Sequence, residues 1–215
     1  MKISYGITVH NEADELNRLL EILLTHIDNE DEIVICVDGD DKDVQLIIER
    51  QEHHKQIIAY KRKLEKDFAA HKNSVIEKSS GDYIFHIDAD EYPHETLLEQ
   101  LKQIIEMNDN VDLIWIPRVN TIEGMTQEHI QKWGWRVTEN GWVNYPDYQA
   151  RVFRRDESIR WTRPLHELIT GCKTYAHLPP HEELSLYHPK NIQKQEQQNM
   201  FYMDNFNKDL LVRQG

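Results

Sequence analysis

Short apolar runs alternate with helical patterns over the first 116 residues, and this alternation limits the possible folds more than any other feature. The first run covers residues 3–9, and leucine and isoleucine residues then recur at helical spacing from Leu16 to Ile27. Alternation of this kind indicates a mainly parallel sheet with helices on both faces, because parallel strands need a crossover between them. The sequence therefore predicts an α/β fold with strands near residues 3–9, 32–37, 56–60, 82–88 and 111–116.

The pattern changes after Pro117, where neither a helical nor a strand period persists. Residues 120–148 carry five aromatic side chains among polar residues and glycines, which is typical of a floppy insertion and equally of a wall for stacking sugar rings. Strand-like runs return at residues 149–155 and 159–162, whereas residues 178–189 are expected to be irregular. The polar tail predicts a helix docked on the domain or on a second subunit. We therefore divide the chain into a regular α/β part, a smaller irregular part of the same domain and a helical tail (residues 1–116, 117–190 and 191–215).

The charge balance argues against binding to nucleic acids or anionic membranes. The chain has 25 lysine and arginine residues against 38 aspartate and glutamate residues, a formal net charge of −13 that repels phosphate backbones. Two cysteines, Cys36 and Cys172, provide no disulfide framework and fit a reducing compartment. No signal-peptide pattern or run of membrane-spanning length is present, so the sequence predicts a soluble, cytoplasmic protein.

Three acidic residues, Asp88, Asp90 and Glu91, end the apolar run that begins at residue 83, at the predicted carboxyl end of its strand. Open α/β sheets bind their ligands at this edge. Asp88 and Asp90 are two residues apart and point the same way in a strand, so that they suit a divalent cation, and Glu91 should emerge beside them. The simpler interpretation is a strand that ends in a polar turn.

The order of several motifs is more specific than any one of them. These motifs are, in chain order, Thr8-Val-His-Asn-Glu12, Asp38, Lys72-Asn73, His86-Ile-Asp-Ala-Asp-Glu91, Arg151-Val-Phe-Arg-Arg155 and His166-Glu167. Through them the chain resembles the family 2 glycosyltransferases of GT-A fold over residues 1–190. That resemblance implies transfer of a sugar from a nucleotide-sugar, usually linked to UDP, to an acceptor hydroxyl with inversion and with help from Mn²⁺ or Mg²⁺.

The resemblance also implies which residues hold the cation and the sugar diphosphate. Asp90 is expected to be a direct metal ligand, while Asp88, with Ala89 beside it, holds the ribose or a metal-bound water. A histidine well downstream often completes such a site, and His188 in Leu186-Tyr-His-Pro-Lys190 is the first candidate. His181 is the competing candidate.

The nucleotide site follows from the same resemblance. Asp38 should bind the uracil or its ribose, because a carboxylate accepts a hydrogen bond from the ring N3–H. The turn residues Thr8, His10 and Glu12 should frame the base, although Glu12 could simply favour the helix dipole. Lys72 and Asn73 are expected near the diphosphate. Lysine on a helix is more often solvated, and an arginine is commoner before this asparagine in the family, which makes the phosphate role of Lys72 less secure.

An inverting transfer needs one base that takes the acceptor proton as the new bond forms. Glu167 is the candidate, with His166 orienting it or touching the donor, whereas the simpler interpretation is that both cap a short helix. Asp147 is the second candidate for the base. Arg151 and its neighbours Arg154 and Arg155 could bind an anionic group, or could face solvent on an edge strand.

Other functions share parts of this pattern. A phosphotransferase or phosphatase also ends a strand in Asp-x-Asp, but its nucleophilic aspartate usually lies on the first strand. A nucleotidyltransferase would need a glycine-rich first loop, which residues 8–12 lack. A non-catalytic carbohydrate-binding relative is the third alternative. The acceptor stays open among a glycan, a lipid-linked sugar, a protein side chain and a modified base in viral DNA, the last disfavoured by the acidic charge. We expect single addition, and a homodimer through the tail is possible.

Overall fold

The computed structural model describes residues 1–51 and 53–205. The first half of the chain builds the regular α/β unit that the sequence predicts. Its elements alternate as β1 (Ile3–Val9), α1 (Ala13–His26), β2 (Glu32–Val37), α2 (Lys42–Gln51), β3 (Ile57–Lys61), α3 (Phe68–Lys78), β4 (Tyr83–Asp88), β5 (Tyr92–Pro93), α4 (Glu95–Met107) and β6 (Leu113–Ile116).

The second half adds short strands and two helices. They are β7 (Arg118–Glu123), α5 (Gln127–Trp133), β8 (Gln149–Arg154), β9 (Arg160–Thr162), β10 (Leu168–Thr170), β11 (Tyr175–His177), a 3₁₀ turn (Glu182–Leu184), β12 (Leu186–Asn191) and α6 (Ile192–Asn205). None of the helices in the described part of the chain is long and apolar enough to cross a membrane.

Within the described residues, one seven-stranded sheet dominates the fold, in the order β11-β6-β8-β4-β1-β2-β3. Strands β1 to β4 are parallel to one another, and β8 runs antiparallel between β4 and β6. A smaller sheet has the order β5-β12-β7. The predicted mainly parallel α/β fold of GT-A type is therefore confirmed. After residue 117, strands β8 and β11 extend the central sheet, since both pair with β6.

The two faces of the central sheet bury different residues, as the alternation of side chains along a strand requires. Tyr5, Ile35 and Phe85 lie on one face and join a core with the leucines of α1 and α4. On the other face, Val34 and Cys36 pack against Val75 of α3. Helices thus cover both faces, and the polar groups of the carboxyl edge stay accessible.

One local expectation was wrong. Residues 178–189 are not irregular throughout, because β12 crosses them and pairs in parallel with β7 through Pro189. Helix α1 begins after Glu12. Pro93 ends β5, and His94 caps α4 because its Nδ1 accepts a hydrogen bond from Thr96 N.

The tail forms a helix, α6, that docks on the domain. Lys194 Nζ lies 3.0 Å from Glu15 Oε1 of α1, and Lys190 of β12 donates to Gln198 Oε1 at 2.8 Å. Met200 and Phe201 of this helix are exposed. Three further apolar residues of the tail, Phe206, Leu210 and Leu211, lie outside the described residues, and a homodimer through the tail stays a prediction.

Candidate active site

The carboxyl ends of β1, β2 and β4 form one side of an open cleft of about 1600 Å³. The strand register places Thr8 of β1 between Cys36 of β2 and Asp88 of β4, so the turns after these strands meet at one edge. Except for Asn73, the first-choice site residues of the sequence analysis line this cleft. These residues are Thr8, His10, Glu12, Asp38, Lys72, Asp88, Ala89, Asp90, His166, Glu167 and His188.

Asp90 and His188 face each other across the cleft. His188 Nε2 lies 3.4 Å from Asp90 Oδ2, because β12 pairs beside β7 and points His188 toward the loop after β4. The competing candidate, His181, is exposed at the start of the 3₁₀ turn and does not line the cleft. The structure thus brings together the two residues expected to hold a metal.

The donor set at this pair fits a divalent cation. The amide nitrogen of Asn120 donates to Asp147 Oδ2 at 2.9 Å, so its Oδ1 is left to accept from His188 Nδ1 at 2.8 Å. Burial lowers the pKa of His188 and favours the neutral ring, whose Nε2 then presents a lone pair to the Asp90 carboxylate. Two electron-pair donors that face each other suit a shared cation. Among the described residues no third histidine, cysteine or acid completes the set, so further ligands would have to come from a bound molecule.

Asp90 is held in its ionised form. Burial alone would raise the pKa of its carboxyl, but the net pKa lies well below its usual range, and the charges of two lysines contribute to the lowering. The lysines are Lys190, 3.9 Å from Asp90 Oδ2, and Lys194, 3.6 Å from the same atom. Neither lysine was selected from the sequence, although Lys190 follows His188 by two residues and therefore shares its strand face.

Lys72 bridges two acids in the cleft, Asp88 and Glu167. Its Nζ lies 2.6 Å from Glu167 Oε1 and 3.3 Å from Asp88 Oδ1, and its side chain is only 7% exposed. The alternative of a solvated lysine is therefore wrong. Burial would raise the pKa of Glu167, yet the ammonium of Lys72 lowers it, so Glu167 is ionised at neutral pH.

Arg151 lies beneath Asp88 rather than on an exposed edge. It is 3% exposed on the central strand β8, and its Nη2 donates to Asp88 Oδ2 at 2.6 Å and to Glu91 Oε1 at 2.7 Å. The expectation that this arginine faces solvent on an edge strand is wrong. Glu91, which we expected to emerge at the cleft, is instead 1% exposed and also accepts from Arg118 Nη1 at 2.6 Å.

Asp147, the second candidate for the catalytic base, accepts hydrogen bonds on both of its carboxylate oxygens. Its Oδ2 accepts from Arg118 Nη2 at 2.6 Å and from Asn120 Nδ2 at 2.9 Å, while its Oδ1 accepts from Gln149 at 3.0 Å. A carboxylate that is hydrogen-bonded on both oxygens is a poor proton acceptor. These contacts favour a role in fixing Asn120, and through it His188. Arg118 follows the apolar run at residues 111–116 after one proline, and this position is the signal by which sequence reasoning could have found it.

The pocket expected to bind the uracil lies at the end of β2. Leu64 N donates to Asp38 Oδ1 at 3.0 Å, and the His10 ring contacts the Asp38 carbonyl at 2.9 Å. Glu12 Oε2 accepts from the backbone N–H of His10 and of Asn11, so this carboxylate shapes the turn. Hydrogen bonds therefore fix the polar side chains Asp38, His10 and Glu12, all of which line the cleft.

Asn73 does not reach the cleft. Its amide nitrogen donates to the Trp161 carbonyl at 2.8 Å, and its Oδ1 accepts from Trp161 N at 2.9 Å. This pair joins α3 to β9. The geometry therefore favours a structural role for Asn73 over the expected contact with the diphosphate.

The loop that carries Glu167 is conformationally unusual. Arg163 and His166 have φ values of 74° and 51°, a region that residues other than glycine rarely adopt. Strained backbone of this kind clusters at functional sites. Residues 163–167 form no helix, so the interpretation of His166 and Glu167 as helix caps is wrong.

The aromatic segment is folded and contributes to the cleft. It contains β7 and α5, and Trp133 and Trp135 line the cleft with ring centroids 4.7 Å apart. Tyr148 lines the same wall, where its hydroxyl donates to the Leu178 carbonyl at 2.9 Å. The floppy-insertion interpretation is wrong, and the stacking-wall interpretation remains a prediction.

Comparisons with known proteins relate both the sequence and the fold of this chain to glycosyltransferases. A family model described as "Glycosyl transferase family 2" matches residues 4–178. No curated protein sequence gives a significant match. The solved structure of S. aureus TarS 1-349 in complex with UDP-GlcNAc matches with a TM-score of 0.64 and 15% identity, covering 88% of this chain and 59% of that chain. The UDP complex of the same fragment matches with a TM-score of 0.62 and 16% identity, covering 88% and 60%. This chain thus spans about three fifths of the TarS fragment, and the likeness establishes a shared fold.

Proposed function

Because the chain belongs to glycosyl transferase family 2, we propose that it transfers one sugar from a nucleotide-sugar, with UDP as the nucleotide, to an acceptor hydroxyl with inversion. The observation that carries the proposal is the meeting of Asp90 and His188, 3.4 Å apart, in the cleft that also holds the ionised Glu167. The choice of UDP is supported by the fold shared with a protein solved in complex with UDP and UDP-GlcNAc.

The residues divide into a donor side and a base. Asp90 and His188 would hold Mn²⁺ or Mg²⁺, whose charge offsets the negative charge that develops on the leaving diphosphate. Asp38 and the His10 turn would bind the uridine. Lys72 lines the same cleft and contacts both Asp88 and Glu167.

Glu167 is proposed as the base for the acceptor. Its carboxylate would take the proton from the acceptor hydroxyl as that oxygen attacks the anomeric carbon, while the bond to the diphosphate breaks with its electron pair on the phosphate oxygen. One base and one displacement give inversion. His166, adjacent in the strained loop, would orient the carboxylate or touch the donor sugar.

The acceptor is proposed only by class, as a hydroxyl of a glycan, a lipid-linked sugar or a protein. The aromatic wall with Trp133 and Trp135 supports a sugar-bearing acceptor, since flat rings stack on the CH faces of sugars. We propose a cytoplasmic enzyme, in keeping with the sequence expectation.

A panel of nucleotide-sugars tests the proposal. With Mn²⁺ present, a UDP-sugar should raise the melting temperature and should be slowly hydrolysed to UDP, because binding to the native state alone stabilises it. Asp90→Ala should lose nearly all transfer and the Mn²⁺-dependent part of the stabilisation while it keeps its fold. Glu49→Ala, at an exposed position of α2, is the matched control. Wild-type-like activity of Asp90→Ala would refute the metal assignment, and release of phosphate from a phosphomonoester without sugar transfer would favour a phosphatase.

A further inference from the structure

Lys190 and Lys194 lie beside Asp90 but have no part in the transfer as proposed above. Lys190 is on β12, two residues after His188, and its Nζ lies 3.9 Å from Asp90 Oδ2. Lys194 is in the first turn of α6, with its Nζ 3.6 Å from the same oxygen. Two cations from different elements therefore converge on the carboxylate expected to lie against the donor diphosphate.

The charge of Lys190 is poorly compensated. Its side chain is 8% exposed, and its close polar contact is the neutral amide oxygen of Gln198 at 2.8 Å. Among the described residues, no carboxylate lies within hydrogen-bond distance of its Nζ. A buried cation that lines an open cleft is a site for an anionic ligand.

Lys194 is placed differently. It pairs with Glu15 Oε1 of α1 at 3.0 Å and is about one third exposed. Because α6 begins directly after β12, the same contact fixes the helix over Asp90. Lys194 lines a neighbouring pocket that shares Glu12 with the cleft, and its Nζ is close enough to Asp90 to reach a ligand bound there.

We infer that Lys190 and Lys194 form a cationic cradle for the diphosphate of the nucleotide donor, with Lys190 as the inner contact and Lys194 as the outer one. The inference rests on the proposed function and adds two residues to it. In the transfer, the bond between the anomeric carbon and the phosphate oxygen breaks with its electron pair on that oxygen. The two ammonium groups donate hydrogen bonds to the diphosphate as this charge develops, and neither lysine gives up its proton.

The alternative is that both lysines only hold α6 against the domain. Binding of uridine and of UDP separates these roles, because the two ligands differ by the diphosphate. We expect Lys190→Met to weaken UDP binding at least tenfold in calorimetric titrations with Mg²⁺ and to leave uridine binding unchanged. Lys194→Met should weaken UDP binding less, and Lys190→Arg should retain most of it. Lys173→Met, at an exposed position outside the cleft, is the control.

The outcomes distinguish the two proposals. Equal UDP affinity in Lys190→Met and wild type would overturn the cradle and leave the proposed function intact. Equal loss of uridine and UDP binding would also overturn it, since it would show a structural role. Failure of the wild type to bind UDP would overturn both proposals. If Lys190→Met does not fold, Lys194→Met carries the same comparison, and unchanged UDP binding there would contradict the outer contact.

Discussion

Glu167 is the side chain on which the proposed chemistry depends most directly. It lies in the cleft, and its Oε1 is held by Lys72 at 2.6 Å. Replacing Glu167 with glutamine should lower kcat by roughly 10²–10⁴-fold, because an amide cannot accept the acceptor proton. UDP binding should stay close to wild type. Stopped assays of UDP release with acceptor present would measure the rate, and calorimetry the binding.

Asp147→Asn is the comparison for that variant. Its carboxylate is bonded by Arg118, Asn120 and Gln149, so we expect reduced thermal stability and a moderate loss of activity. If Asp147→Asn lost all transfer while Glu167→Gln stayed active, the base would be Asp147.

The ion pair between Lys72 and Glu167 predicts a change in pH dependence. Burial raises the pKa of Glu167 and Lys72 lowers it, with a net position below the ordinary value of 4.5. Lys72→Met removes the lowering cause and keeps the burial, so the carboxyl pKa should rise above 4.5. The acidic limb of the kcat/KM profile should therefore move to higher pH. A variant with lower activity but an unmoved limb would show that Lys72 acts on the donor alone.

At the scale of elements, Asn73 predicts a loss of stability without loss of donor binding. Its two hydrogen bonds to the Trp161 backbone hold β9 against α3. Asn73→Ala should reduce the free energy of unfolding by about 2 kcal/mol, since it deletes two bonds and leaves backbone groups unpaired. UDP affinity at a temperature where the variant is folded should equal that of wild type. A selective loss of UDP binding would instead support the contact with the diphosphate expected from the sequence.

The elements also show how far sequence reasoning reaches. Strands β1, β2 and β4 were predictable because both faces of each strand are buried, and a nearly continuous apolar run in the sequence indicates such a strand. Strand β12 was not, because Pro189 and the polar His188 and Lys190 obscure its period; it is stabilised by pairing with β7, which is distant in sequence. Asp90 was predictable from its own motif, whereas its neighbours Arg118 and Lys194 depend on contacts between elements that no local pattern records.

For the whole molecule, the distribution of charge matters more than its sum. The chain carries a net charge of −13, yet cationic side chains from five elements gather around the acids at the end of β4. Four of them lie within 3.0 Å of an acid, whereas Lys190 lies 3.9 Å from Asp90, so this region carries mixed charges rather than a basic patch. Such a surface suits a small anionic ligand bound locally and disfavours an extended polyanion. The cationic residues are Lys72, Arg118, Arg151, Lys190 and Lys194.

The buried titratable groups make the stability of the whole fold dependent on pH. Burial lowers the pKa of both His71 and His86 from 6.5 to about 4, so the unfolded chain takes up their protons first as the pH falls. The buried acids act next: the pKa values of Asp88, Asp90 and Glu167 lie below their ordinary ones, so the unfolded chain also binds those protons first. Both effects favour unfolding on acidification. The melting temperature should therefore fall below pH 6.5, and more steeply below about pH 4.5.

His86→Phe isolates one part of this dependence. Among the described residues, neither ring nitrogen of His86 has a hydrogen-bond partner, and the ring packs edge-on against Trp161 at 5.7 Å, so phenylalanine deletes no hydrogen bond. The variant cannot take up the proton that the unfolded wild type gains near pH 6.5. Its melting temperature should thus fall less between pH 6.5 and 4.5, with the steeper fall below pH 4.5 preserved because the acids are unchanged. Scanning calorimetry from pH 8 to 4 measures both slopes. An unaltered slope above pH 4.5 would show that His86 is already protonated in the fold, paired with Asp88 Oδ1 at 3.7 Å.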